Sequence, residues 1–257
     1  MSGTVWITGA GKGLGRALAL ELARRGWSVA ASARTATDLD ALCHAAASLP
    51  GRIEGFPLDV TDGDAVARTV ETIESQCGPL AMVVLNAGTH IPVSAAELTA
   101  APFRTLIETN LMGVVHGLAA VLPRFIDRRT GHVAVVASVA GYRGLPTGAA
   151  YGATKAALIN MCESLKPELD PLGVRLTLVN PGFVKTPLTD KNPFPMPFLM
   201  DVDAAAVRLA DGLARNCFEI TFPRRFTWLL KALRLLPYPL YFALTRRLVP
   251  SMRGPEQ

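Results

Sequence analysis

Tyr151 and Lys155 stand four residues apart in Tyr-Gly-Ala-Thr-Lys, and on a helix such a pair shares one face at adjacent turns. A free phenol titrates near pH 10, and a neighbouring ammonium favours the phenolate, so the pair is a way to make tyrosine an acid–base group near neutral pH. A lone Tyr-x-x-x-Lys is common on helices, so its weight rests on its surroundings. The stretch 138–155 leaves an apolar run at 132–137 through Ser138, crosses a Gly/Pro-rich loop and enters a helix at Tyr151. Asn110 lies within the apolar stripe of a helix over 102–128, formed by Phe103, Leu106, Ile107, Leu111, Val114, Leu118 and Leu122. A buried amide needs partners or costs about 1–3 kcal/mol. Asn110 therefore either ties down backbone or serves a site.

A second kind of chemistry opens the chain. The buried-strand pattern of Thr4–Thr8 runs into Gly9-Ala-Gly-Lys-Gly-Leu-Gly15, then a helix with Leu14, Leu18 and Leu22 on one face. Glycines between a strand and a helix let backbone approach a pyrophosphate, and the helix N-terminus presents free N–H groups and partial positive charge to it. The Gly9, Gly13, Gly15 spacing after Thr8 is a wider relative of the usual dinucleotide fingerprint. A site for NAD wants an acid roughly 20 residues further on, for the ribose 2′-hydroxyl. Here Ala33-Arg34-Thr35 follows the second strand, and the first acid, Asp38, falls inside the next helix. Arg34 and Lys12 in the glycine loop are suited to a 2′-phosphate, which points to NADP(H); the alternative is two solvated basic side chains.

These groups need a frame that gathers them. Strand patterns at 27–32, 53–58, 81–85, 132–137 and 174–179 alternate with helices at 36–47, after Thr61 as cap, at 102–128 and at 151–170. Alternating strands and helices predict an α/β fold, a doubly wound parallel sheet of Rossmann type in three layers (α/β/α), with a C-terminal helical extension. Gly9, Arg34, Asp59, Asn86, Ser138 and Pro181 all fall at strand carboxyl ends, the edge where such a sheet binds its ligand. Asp59 is either an adenine contact or a turn former. The expected division is one domain over 1–222 and a tail over 223–257 that is part of it or interfacial.

Composition limits the alternatives. Half of the 257 residues are apolar, ample for one large core. Cys43, Cys77, Cys162 and Cys217 are scattered, which reads as free thiols in a reducing, cytoplasmic setting, and the first residues run straight into a strand without a signal peptide. Four histidines without close ligand spacing do not predict a metal site. The net charge of +5 arises in the tail, where Arg224, Arg225, Lys231, Arg234, Arg246, Arg247 and Arg253 face Glu256 alone. The rest of the chain is close to neutral, which disfavours a nucleic-acid-binding body.

Taken together, Thr8-Gly9…Gly13-Leu14-Gly15, Asn86-Ala87-Gly88, Asn110, Ser138, Tyr151…Lys155 and Pro181-Gly182 occur in an order and spacing that resembles the short-chain dehydrogenase/reductase family, over about residues 3–220. The resemblance implies that Tyr151 exchanges a proton with a carbonyl or alcohol oxygen. Lys155 would bind the nicotinamide ribose and lower the tyrosine pKa, Ser138 would orient the substrate oxygen, and Asn110 would hold a water on the proton path. It implies further that Asp59 and Asn86 flank the adenosine, that Val60, Ala87 and Gly88 join the cofactor contacts, and that the backbone from Pro181 through Gly182 to Val184, with the Thr186 hydroxyl, meets the nicotinamide. Homodimers or homotetramers packed through the helices at 102–128 and 151–170 are implied too. Leu85, where the family more often has a second Asn, departs from the pattern and puts the local loop bonding in question.

Two segments lie outside these motifs. Residues 187–200, the family's substrate lid, carry Phe194, Met196, Phe198, Leu199 and Met200, which suits a lipophilic carbonyl or alcohol substrate or a lid that simply packs on the core. From 223 to 236 a helical projection sets Phe226, Leu229, Leu230, Leu233 and Leu236 on one arc, Arg224, Arg225, Lys231 and Arg234 opposite, and Trp228 at the boundary. The uncharged run at 235–245 is far shorter than the ~20 residues that span a bilayer. The tail is thus either an interfacial helix drawn to anionic lipid through 223–250 or a segment packed on its own or a partner subunit. The expected activity is NADP(H)-dependent interconversion of a carbonyl and an alcohol; the alternatives are a 3-oxoacyl thioester reductase and a non-catalytic NADPH-binding sensor at a membrane.

Overall fold

Val5, Trp6 and Ile7 of the first strand are fully buried although they point alternately to opposite faces, because the sheet they belong to is covered on both sides. The computed structural model describes residues 3–191 and 196–249. Its elements are β1 (Thr4–Thr8), α1 (Gly13–Arg24), β2 (Ser28–Ala33), α2 (Ala36–Ala45), β3 (Arg52–Pro57), α3 (Gly63–Cys77), β4 (Leu80–Leu85), α4 (Ala100–Leu106), α5 (Gly113–Arg128), β5 (Gly131–Val136), α6 (Ala149–Leu169), β6 (Val174–Pro181), α7 (Val202–Ala214), β7 (Glu219–Phe222), α8 (Arg224–Arg234) and α9 (Tyr238–Thr245). The strands form one parallel sheet in the order β3-β2-β1-β4-β5-β6-β7.

The expected three layers are present. Trp6, Val83, Leu85, Val133 and Val135 face α3, α5 and α6 through Val70, Ile73, Leu118, Phe125 and Leu158. Val5, Ile7, Val84, Ala134 and Val136 face α1, α2 and α7 through Leu18, Leu22, Leu42, Leu209 and Leu213. The order reverses at β1, which pairs with β2 on one side and β4 on the other. That switch opens a crevice at the strand carboxyl ends.

Four local expectations change. The helix expected over 102–128 is α4 and α5 joined by a π turn, Ile107–Met112. The wider turn rotates the stripe, so Ile107 is 40 % exposed while Leu106, Val114 and Leu118 stay buried. The cap of α3 is Asp62, which accepts from the Ala65 N–H at 2.9 Å; the Thr61 hydroxyl instead donates to Asp59. A seventh strand, β7, was not expected, being four residues long at the sheet edge, and it leads directly into α8. In α8, Leu229 is 55 % exposed rather than inward, whereas Phe226 is buried in the core.

The segment Ala100–Arg128 is long and apolar enough to cross a bilayer, but Leu106, Val114, Val121 and Phe125 are buried within the fold. At the far end of the lid, Met200 is tied to the backbone after β6: Lys185 N–H donates to Met200 O at 2.8 Å and Met200 N–H to Phe183 O at 2.9 Å. Phe194 of the lid and Arg253 and Glu256 of the tail lie outside the described residues.

Candidate active site

Each strand end delivers its residue to the crevice. Gly9 and Gly13 adopt φ of 67° and 56°, a region that suits glycine. A Cβ on Gly9 would sit 2.8 Å from Ala87 Cα, and one on Gly15 2.4 Å from Gly9 O, so the loop is folded tightly against the end of β4. Asn86 braces it. Its side-chain amide donates to Thr8 O at 3.0 Å and Gly9 O at 3.2 Å, while the N–H groups of Asn86 and Ala87 both donate to Thr8 Oγ1. The Leu85 departure is harmless to this bonding: Leu85 is a core residue against Gly117 of α5.

The N-termini that face this loop are open. Neither α1, preceded by Lys12, nor α2, preceded by Thr35, has a side-chain cap, whereas α3 and α7 are capped by Asp62 and Asp201. Uncapped first-turn N–H groups are donors aimed at an anion. The basic pair expected at the ribose end is more finely balanced than its sequence implied. Arg34 is exposed. Lys12 Nζ lies 3.3 Å from Asp38 Oδ2, so an acid sits close to the glycine loop from the first turn of α2. Asp59 accepts on Oδ1 from the Thr61 N–H and hydroxyl, and these bonds with the nearby Arg34 outweigh burial and hold its carboxyl below the usual range. Val60 packs on Gly113 and its carbonyl meets His116 Nδ1 at 2.9 Å.

Ser138, Tyr151, Lys155 and Asn110 converge on the other half of the crevice. Ser138 caps a short turn by accepting from the Ala140 N–H at 3.1 Å, and its Oγ lies 3.5 Å from Pro181 O. Burial pushes the Tyr151 phenol above its ordinary pKa, while the nearby Ser138 hydroxyl pulls the other way. The expected lowering of this phenol is therefore not achieved by the chain alone, because burial outweighs the helpers within it. Lys155 is buried; its Nζ lies 5.7 Å from the Tyr151 ring centre and donates to Val136 O at 2.9 Å. Burial lowers its pKa to about 8.

Asn110 sits in the π turn. Its amide oxygen accepts from the Thr89 N–H at 2.7 Å, and Nδ2 donates to Thr89 O at 2.9 Å and Thr154 Oγ1 at 3.3 Å. Gly88 borders both halves: a Cβ there would lie 3.2 Å from Asn110 Oδ1 and 3.6 Å from Lys155 Nζ. On the opposite wall, Gly13 approaches Thr186 to within 3.3 Å of a built Cβ, bringing the glycine loop to the loop after β6.

Sequence reasoning missed several residues that shape the site. His90 meets the Tyr151 ring edge-on at 4.8 Å. Thr154 donates to Tyr151 O at 2.8 Å, and Thr189 donates to Val184 O at 2.7 Å while accepting from the Thr186 N–H at 3.0 Å. Thr154, three residues after Tyr151, follows the common habit of Thr back-bonding in helices. His90 lies in an irregular segment and Thr189 opens a single 3-10 turn, neither of which carries a periodic signal.

Residues 3–194 match the short chain dehydrogenase family model. The chain belongs to the short-chain dehydrogenase family. It is an oxidoreductase with that family's nucleotide-binding sheet, and the crevice just described is its candidate active site. It is 42 % identical over 245 residues to an oxidoreductase of Myxococcus xanthus, covering 95 % of this chain and 97 % of the relative. It is 35 % identical to the 3-oxoacyl-[acyl-carrier-protein] reductase FabG of Thermotoga maritima over 73 % of this chain and 76 % of that one. Among solved structures, the alcohol dehydrogenase of Thermococcus sibiricus complexed with 5-hydroxy-NADP superposes with a TM-score of 0.79 at 27 % identity, over 86 % of this chain and 96 % of that one.

Proposed function

We propose that this dehydrogenase interconverts a carbonyl and a secondary alcohol on an apolar substrate with NADP(H), Tyr151 passing the proton. The observation that carries the reading is the convergence of Ser138, the Tyr151 phenol and the buried Lys155 ammonium on one half of the crevice, across from a glycine loop whose helix N-terminus has no side-chain cap. Tight glycines and open first-turn N–H groups suit a pyrophosphate. Lys12, Gly13, Leu14 and Gly15 would hold it, Arg34 would take the 2′-phosphate, and Pro181, Gly182, Val184 and Thr186 would flank the nicotinamide. When bound, that group supplies or accepts the hydride. Ser138 orients the substrate oxygen and Tyr151 gives or takes the proton at Oη. Lys155, charged below its pKa of about 8, stabilises the phenolate and hands protons on toward Asn110. General acid–base catalysis of this kind contributes typically ~10²–10⁴-fold.

The lipophilic substrate class is supported by Phe183 and Phe198, which meet around Phe226 at 5.5 and 5.9 Å beside the loop after β6. A 3-oxoacyl thioester is the second reading, favoured by the similarity to the Thermotoga reductase. A screen of NADPH and NADH consumption over lipophilic ketones, aldehydes and 3-oxoacyl thioesters tests both. Turnover of ketones or aldehydes with NADPH is expected; turnover of thioesters alone selects the second reading, and none with either coenzyme rejects both substrate readings.

A further inference from the structure

From Pro223 to Val249 the chain holds six cations and not one acid. Of these, Lys231 is paired with Glu219; no ion pair engages Arg224, Arg225, Arg234, Arg246 or Arg247 among the described residues. The same segment exposes large apolar side chains, including Trp228 at 70 %, Leu235 at 86 % and Tyr238 at 68 %, with Tyr238 stacked on the exposed Phe242 at 5.6 Å. Solvated faces of monomeric proteins seldom gather so many.

The inward arc of α8 does not account for them, because it is already occupied. Phe226 packs on Phe183 and Phe198, and Lys231 Nζ donates to Glu219, which also accepts from Tyr142 Oη and from Asn180 Nδ2 at 2.8 Å. Arg143 closes the end of α8. Its guanidinium donates to Leu233 O and, at 2.8 Å, to Leu236 O, and lies 3.8 Å from the Tyr241 ring centre, while the Tyr241 hydroxyl donates to Gly144 O. Tyr142, Arg143 and Gly144 belong to the loop between Ser138 and Tyr151. The basic, aromatic surface is thus fixed rigidly to the loop that carries the acid–base groups.

We propose that α8 and α9 dock this protein onto an anionic lipid bilayer, which sets the exposed Phe198, packed on Phe226 beside the loop after β6, toward the lipid interface. Charge and composition choose this occupant. A second copy related by a two-fold would set cations against cations. An acidic carrier protein would answer the charge but not the exposed Trp, Tyr and Phe, side chains suited to the level of lipid headgroups, where basic residues meet anionic lipid. Docking stands on the surface alone; delivery of substrate from the bilayer rests on the lipophilic reading above.

The test is sedimentation of the full chain with phosphatidylcholine vesicles, with and without about a third phosphatidylglycerol. At least ~10-fold more protein is expected on the anionic vesicles, falling as salt rises. Two variants, Trp228→Glu/Leu235→Glu/Phe242→Glu and Arg224→Glu/Arg225→Glu, are each expected to lose at least ~10-fold of that binding while NADPH oxidation with a water-soluble ketone stays unchanged. Should the first variant unfold by circular dichroism, the second, wholly at exposed arginines, carries the test. Indifference of the wild type to anionic vesicles overturns the proposal, whether an acidic carrier binds instead or the chain proves to be a dimer that the first variant splits. Undiminished binding by both folded variants overturns it too. Vesicle binding by a protein inactive on every ketone rejects the lipophilic-reductase reading and leaves docking standing.

Discussion

Lys155 Nζ, buried 5.7 Å from the centre of the Tyr151 ring, is held by the carbonyl of Val136 at 2.9 Å rather than by a carboxylate. Among the described residues no carboxylate pairs with this ammonium, so its charge is left facing the crevice. The same arrangement makes it costly to bury, so function and stability pull on this residue in opposite directions.

The phenol is the group that moves a proton, so Tyr151→Phe should lower turnover by at least ~100-fold while NADPH still binds. Coenzyme fluorescence gives the binding and steady-state oxidation gives the rate. Wild-type turnover in this variant would remove Tyr151 from the chemistry.

Lys155 has a folded pKa of about 8, below its ordinary 10.5. Above 10.5 it is neutral in both states; as pH falls from 10.5 to 8 the unfolded chain takes up a proton that the buried site refuses, so stability is lost over that window and the loss is complete below 8. At pH 7, Lys155→Met should therefore raise unfolding free energy by up to about 3 kcal/mol, less the bond to Val136, while abolishing turnover. Denaturant titrations at pH 7 and pH 10 provide the check. The gap between variant and wild type should shrink at the higher pH, and a less stable variant at pH 7 would contradict the account.

The balance of Lys12, Arg34 and Asp38 governs the coenzyme. Arg34→Ala should raise the KM for NADPH ~10-fold or more and leave NADH little changed, since a charge-assisted bond to phosphate is worth about 1.5–3 kcal/mol. Asp38→Asn, which frees Lys12 and removes a negative charge from the glycine loop, should lower the NADPH KM several-fold. If Arg34→Ala affects both coenzymes equally, NADP(H) selectivity does not reside there.

His132 bonds Thr177 Oγ1 at 3.0 Å, and burial, with Arg175 nearby, lowers its pKa to about 3 from 6.5. Its folded pKa is depressed, so the associated stability is complete above pH 6.5 and lost as pH falls toward 3. Up to about 5 kcal/mol disappears over that window. Thermal midpoints of the wild type should fall more steeply from pH 6.5 to 4 than those of His132→Gln; parallel curves would show that other groups drive acid unfolding.

The order of motifs, the parallel sheet and the strand ends that bear Gly9, Arg34, Asp59, Asn86, Ser138 and Pro181 were legible in the amino-acid sequence alone. They depend on near-neighbour physics: apolar runs bury, glycines turn, and a strand followed by a helix returns to the same sheet edge. Tertiary structure decided what joins distant segments. The rotation of the stripe at Ile107 comes from a π turn that no periodicity announces. Asp38 reaching Lys12, Leu229 turned outward, and Glu219 gathering Tyr142, Asn180 and Lys231 each follow from how separate elements meet. Even the Tyr151 phenol is set this way: the four-residue spacing brings an ammonium near it, but the surrounding packing makes burial the stronger influence on its proton.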